Sequence, residues 1–168
     1  MALRLRPLRF DDEPEARLAH EELKDDDFQF LLDWTPDRPW GDYVAEQADR
    51  RHGIGLPENR VSSSFLIAEV DGALVGRISI RHELNAWLSA LGGHIGYAVR
   101  PAHRRRGHAT EILRQGLVIA RAEGIEEVLV VCDEGNLGSS AVIERLGGVL
   151  EDVRPDSEGL PKRRYWIR

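Results

Sequence analysis

Residues 99–117 read VRPAHRRRGHATEILRQGL, and this stretch decides how the chain is understood. Arg100, Arg104, Arg105 and Arg106 precede Gly107, after which Ile112, Leu113, Leu117 and Ala120 recur at helical spacing. The chain as a whole is acidic, with 29 Asp and Glu against 23 Lys and Arg and a net charge of -6. An acidic protein therefore gathers cations at one point, just ahead of a glycine and a helix. The first amides of a helix lack intrahelical partners and carry partial positive charge, so such an end holds phosphate readily. Gly107 removes a side chain where backbone must approach an anion closely. The small Ala109 keeps a second approach open. Arginine at a helix start opposes the dipole, which favours a bound anion over the alternative, a solvated basic turn. The expectation is a site for a phosphate-bearing ligand, with a pyrophosphate preferred. The stretch is neither a P-loop nor a dinucleotide fingerprint, since it lacks both glycine patterns.

The 168 residues fit one domain, large enough to hold a core without metal or disulfide. A single cysteine, Cys132, excludes an intramolecular disulfide and is compatible with a reducing, cytoplasmic setting. The N-terminal MALRLRPLRFDDEPEARL has no apolar core after its basic residues, so no signal peptide is expected. No apolar run approaches bilayer-spanning length, and no membrane partner is expected. The acidic balance argues against nonspecific nucleic-acid binding.

Along the chain, LRLRPLR (residues 3–9) alternates as a half-buried strand, with Pro7 marking an edge. Helical segments follow in DDEPEARLAHEEL, where Asp11 or Asp12 is a candidate cap, and near residues 42–51. SFLIAEVDGALVGRISIRHEL reads as a hairpin turning at Asp71-Gly72. GGHIGYAV is a short strand, the arginine stretch opens a helix that stops at Gly124, and EEVLVVCD is a buried central strand. NLGSSAVIERLGG is a helix capped by Asn136, and GVLEDV and RRYWIR close as strands. The order β-α-α-β-β-β-α-β-α-β-β points to a mixed α/β sheet flanked by helices.

VRPAHRRRGHATEIL resembles the acyl-CoA motif of the GNAT superfamily of N-acyltransferases. There a V-x-P run ending a strand precedes R-x-x-G-x-A, which Arg104, Gly107 and Ala109 match. The element order and DEGNLGSSAVIERLGG extend the resemblance over most of the chain. A narrower likeness is to bacterial acetyltransferases carrying RHELN, GGHIGY and a terminal YWI. The resemblance implies an α/β (α+β) acyl-CoA N-acyltransferase fold. Its sheet would be mixed, mostly antiparallel, and splayed between the fourth and fifth strands. It implies acetyl-CoA as cosubstrate, with pantetheine pairing to backbone of Ala98 and Val99. The pyrophosphate would lie on the amides of Arg105, Arg106, Gly107, His108, Ala109 and Thr110, with Arg104 adding charge. Asn136 would contact pantetheine, with Ser139 and Ser140 near the cofactor; Asn136 serves equally as a plain helix cap. A homodimer is compatible with families of this kind.

The implied chemistry is direct attack of a primary amine on the thioester in a ternary complex. An amine with pKa about 10.4 must first lose a proton, at a cost of roughly 4–5 kcal/mol at pH 7. His94 and Glu83 are candidate bases, with His82 behind them; each is otherwise a strand-surface or hairpin residue. Family members carry a tyrosine seven residues after the Asn136 position to protonate the leaving thiolate. Here that position is Ile143, so Ser140, Tyr97 or water must serve, or the thiolate leaves unassisted. This departure leaves a second reading, a non-catalytic acyl-CoA-binding module with a regulatory role. Cys132 closes a buried strand and reads as packing rather than as a nucleophile. No histidine spacing matches a metal set, so no metal is expected.

The acceptor is expected to be a small-molecule or peptide amine. In LLDWTPDRPWGDY, Trp34, Trp40 and Tyr43 stand among Asp33, Asp37 and Asp42, a combination suited to a cationic amine. The same aromatics serve as well to cap the core from a loop, the preferred reading. A nucleic-acid protein would need a broad basic surface, whereas here the charge is confined to one segment.

Overall fold

The computed structural model describes residues 2–168. Seven strands form one sheet in the order β1-β2-β3-β4-β5-β7-β6. They are β1 (Arg4–Pro7), β2 (Ser63–Val70), β3 (Ala73–Arg81), β4 (Ile95–Val99), β5 (Val128–Asp133), β6 (Val149–Pro155) and β7 (Pro161–Ile167). The helices are α1 (Glu13–Leu23), α2 (Trp40–Arg51), α3 (His108–Ala122) and α4 (Leu137–Arg145). The order is the one the sequence predicts. All neighbouring strands run antiparallel except β4 and β5.

Local chemistry accounts for most boundaries. Val70 faces Ala73 across a two-residue turn in which Asp71 and Gly72 both have positive φ, 51° and 82°. That primed turn matches the twist of the strands it joins. β1 is shorter than its alternation suggests and ends at Pro7, which pairs only with β2. Asp12 stands at the start of α1, but its carboxylate is drawn elsewhere. It accepts the Arg9 amide at 2.7 Å and the Arg6 guanidinium at 2.7 and 2.8 Å. Residues Leu88–Gly92 coil into one π-helical turn that sequence patterning does not foresee.

Two apolar layers cover the sheet. On one face Ile112, Leu113, Leu117 and Ala120 of α3 and Ile143 of α4 pack on Ile78, Ile80, Ile95 and Val130. On the other, Ala16, Ala19 and Leu23 of α1 join Phe30, Leu31, Phe65 and Ile67. Trp34, Trp40 and Tyr43 belong to this second layer, each 6% exposed or less. They cap the core rather than line an amine pocket. Asp33 pairs with Arg50 and Arg60.

Gly76 permits the closest approach in the sheet. A Cβ there would lie 2.3 Å from the Ala98 carbonyl oxygen, a backbone atom that cannot swing away. Two buried histidines brace the loops. His20 Nδ1 accepts the Leu31 amide at 3.0 Å, and His94 Nδ1 accepts the Leu129 amide at 2.9 Å. Burial lowers both histidine pKa values, helped by the Lys24 charge for His20 and the Arg81 charge for His94. Both rings therefore stay neutral in the fold.

Gly76→Ala is expected to lower stability by about 1–3 kcal/mol through this overpacking, read as a reduced urea midpoint. The histidines give a separate signature. Their folded pKa values lie below the unfolded value of about 6.5, so their contribution is whole above that pH and lost as pH falls beneath it. The urea midpoint of the wild type should fall between pH 7 and pH 5, and less steeply in His20→Gln. Equal slopes in the two proteins would refute the linkage.

Candidate active site

The parallel pair β4–β5 meets at a single register, Ile95 opposite Val130. Just before it, the His94 amide donates to the Leu129 carbonyl at 2.7 Å. Beyond Ile95 the strands part. Residues 96–99 of β4 remain paired to β3, with Gly96, Tyr97, Ala98 and Val99 opposite Ser79, Ile78, Arg77 and Gly76. Among the described residues, no strand pairs with their other edge. A strand edge left open between two sheet members is costly unless something occupies it.

β4 leads directly into the arginine turn. Arg105 and Gly107 both have positive φ, 63° and 81°, and a Cβ on Gly107 would meet nothing within 4 Å. The Glu111 amide is the first of the turn to find a carbonyl, that of Gly107 at 3.2 Å. Among the described residues, the amides of 105–110 donate to no acceptor. This is a concave run of free donors at a helix N-terminus, a shape and polarity that fit a diphosphate.

The arginines divide into two pairs. Arg100 is buried and held by Glu15 at 2.6 Å and Glu22 at 2.9 Å. Arg104 donates to the Val99 carbonyl at 3.1 Å and pairs with Asp26 at 2.5 Å. These two fasten the end of β4 to α1 and the turn that follows it. Arg104 is thus a brace, which departs from its expected role as a phosphate charge. Arg105 and Arg106 are exposed and form no ion pair among the described residues. They are the cations left to an anion, beside half-buried His108, Ala109 and Thr110.

Across the gap stands α4. Asn136 Oδ1 accepts the Ser139 amide at 3.1 Å, so its oxygen caps the helix while its NH2 group makes no hydrogen bond among the described residues. Tyr97 Oη meets Ser139 Oγ at 2.9 Å and bridges β4 to α4. Burial pushes the Tyr97 phenol up to about 12, only partly offset by the Ser139 bond. Ser140 is buried, donates to the Asn136 carbonyl at 3.3 Å and lies 3.5 Å from Cys132 Sγ. Its hydroxyl is committed to the helix. Cys132 is buried with its thiol pKa raised by desolvation, as a packing residue would be.

The three expected bases do not converge. His94 offers its one lone pair to the Leu129 amide, so it cannot take a proton without breaking that bond. The His82 ring sits between Ser64 Oγ at 2.9 Å and Ser62 Oγ at 3.1 Å. Glu83 is exposed and makes no hydrogen bond or ion pair among the described residues. Among those residues no cluster of His, Cys, Asp or Glu has a metal-ligand arrangement, and no helix is long and apolar enough to cross a membrane.

Sequence patterning missed three groups near β4: the Tyr97–Ser139 bridge, and Arg77 and Arg81 of β3. The signal for the arginines was present. They interrupt an apolar strand four residues apart, hence on one face.

Comparison with known proteins agrees with this architecture. The chain aligns along its full length with YncA of Salmonella typhimurium with its cofactor acetyl-CoA, covering 94% of that chain at 14% identity and a TM-score of 0.67. RimJ of Mycobacterium smegmatis, in complex with CoA-disulfide, aligns over 98% of this chain and 81% of its own at 21% identity and a TM-score of 0.69. The ribosomal L7/L12 alpha-N-protein acetyltransferase RimL, in complex with coenzyme A, aligns over 99% and 93% at 17% identity and 0.69. A search of curated proteins finds no match. At these identities the structures speak for the fold. The family assignment comes from the acetyltransferase (GNAT) domain model, which matches residues 2–149: the chain belongs to the GNAT acetyltransferase family.

Proposed function

We propose that this protein transfers the acetyl group of acetyl-CoA to a primary amine by direct attack in a ternary complex. The observation that carries the reading is continuity. An unpaired edge of β4 runs straight into a turn whose amides at 105–110 are free. A pantetheine amide chain matches the first and a diphosphate the second. In this reading Ala98 and Val99 lie beside pantetheine, Arg105 to Thr110 cradle the diphosphate, and the Asn136 NH2 and Ser139 face the gap. The acetyl donor and the lone thiol agree with a cytoplasmic location.

The reaction needs a neutral amine and a leaving thiolate. Glu83 is the expected base whose acceptor oxygens are free, acting directly or through water. His94 serves instead as a positioning group at the point where β4 and β5 part. For the thiolate, Tyr97 is better placed than Ser140, because its hydroxyl lies at the gap. Its pKa of about 12 changes what it can do. Full proton transfer to a thiolate of pKa about 8.5 would run uphill by roughly 5 kcal/mol. Tyr97 therefore stabilises the thiolate by hydrogen bonding and the thiolate departs unprotonated.

The second reading, an acyl-CoA binder without turnover, is favoured by Ile143. That residue is fully buried in the core where family members carry an acidic hydroxyl. A thiol-release assay with acetyl-CoA across a panel of amines and amino-terminal peptides separates the readings. Turnover with at least one amine is expected; binding of acetyl-CoA with none would favour the second.

Arg106→Glu should weaken CoA binding by about tenfold or more in calorimetry, by replacing a charge-assisted contact with repulsion. Unchanged affinity would dismantle the cradle. Tyr97→Phe is expected to lower kcat about tenfold with CoA affinity nearly unchanged, the cost of one hydrogen bond to the thiolate that forms in the transition state. A drop in affinity alone would make Tyr97 a packing residue.

A further inference from the structure

Five arginines are buried to 8% exposure or less: Arg6, Arg50, Arg77, Arg100 and Arg164. Four are each neutralised by two carboxylates. Arg6 holds Asp12 and Glu69, and Arg50 holds Asp33 and Glu46. Arg100 holds Glu15 and Glu22, and Arg164 holds Glu151 and Asp152. This is the physical requirement for a buried cation. Arg77 breaks the pattern. Its donors reach only carbonyls, of Phe30 at 3.0 Å, Gln29 at 2.7 Å and Gly96 at 3.1 Å. Its guanidinium lies 4.4 Å from the Phe28 ring centre and 5.6 Å from that of Phe65. No carboxylate among the described residues pairs with it.

Arg81 repeats the anomaly four residues along the same strand face. It makes one long hydrogen bond, Nη1 to the Gly92 carbonyl at 3.3 Å, and no ion pair among the described residues. Its remaining donors are unused. It is half-buried and keeps accessible surface. Burial depresses both guanidinium pKa values, to about 9 for Arg77 and about 10 for Arg81, with the Arg81 charge adding to the effect on Arg77 and the Arg60 charge to that on Arg81. An anion placed beside them would relieve both penalties.

The Arg81 guanidinium lies beside the unpaired edge of β4. A Cβ on Gly96 would lie 3.2 Å from Arg81 Nη1 and 3.4 Å from Nη2. Gly96 is the first residue of β4 beyond its one register with β5. The absence of a side chain there lets the Arg81 guanidinium lie against the β4 backbone, beside the stretch assigned to pantetheine. We propose that Arg81, with Arg77 behind it, receives a carboxylate of the acceptor, so that the acceptor is an amino-acid-like molecule carrying a carboxylate a few bonds from its amine. The chain neutralises every other buried guanidinium from its own sequence. Here the substrate supplies the missing charge.

The proposal rests on the acetyl-transfer reading, and its test separates the two. N-acetyl derivatives of the twenty amino acids, and their carboxamides, are titrated calorimetrically into the protein with and without CoA. At least one acid should bind about tenfold or more tighter than its amide, the scale of one charge-assisted hydrogen bond. Arg81→Gln should erase that preference while CoA affinity and thermal midpoint stay unchanged, and Arg81→Lys should restore part of it. Amides binding as well as acids, no binding at millimolar concentration, or a preference that survives in both variants would each overturn the proposal. If the preference and its loss appear but no free amino acid releases thiol from acetyl-CoA, the carboxylate site stands and the transfer reading fails.

Discussion

The parting of β4 from β5 is the constraint on which the rest of the molecule turns. Parallel neighbours normally share a continuous ladder, and these two share one register at Ile95 and Val130. The chain invests in holding them apart. The His94 ring and backbone fix the closed end against Leu129, and Tyr97 bridges to Ser139 at the open end. Arg100 and Arg104 clamp the far end of β4 to acidic residues of the N-terminal part of the chain. A packed interior tolerates few voids, so an open edge maintained by this many contacts is a built feature.

Charge is organised around the same gap. The net charge is negative, yet positive charge collects at both ends of the exposed length of β4. At one end Arg105 and Arg106 flank free amides at the start of α3. At the other, Arg77 and Arg81 stand without carboxylates. Between them lie Gly96, Tyr97, Ala98 and Val99. Arg6, Arg50, Arg100 and Arg164, all buried, are each paired with two carboxylates, whereas Arg77 meets only carbonyls and aromatic rings.

Several roles that depend on residue type alone change once partners are known. His94 has the unperturbed pKa of a base, but its lone pair belongs to a backbone amide. Arg104 carries the family's arginine position, but its guanidinium is shared between Val99 and Asp26. Ser140 turns inward to the Asn136 carbonyl, which leaves Tyr97 at the gap. The aromatic loop around Trp34 keeps the role preferred for it from the sequence and closes the core.

The sequence by itself determined the order of elements, the Asp71-Gly72 turn, the helix start at Gly107 and the family. These follow from local periodicity, backbone preference and a short motif, all of which are properties of neighbouring residues. Only the tertiary structure decided which arginines are neutralised and which histidine lone pairs are free. Those depend on partners brought together across the fold: Arg100 meets Glu15 and Glu22, and Arg77 meets only carbonyls and aromatic rings. A charge has no fixed role until its surroundings are set, because burial and pairing change its energy by more than the residue type does.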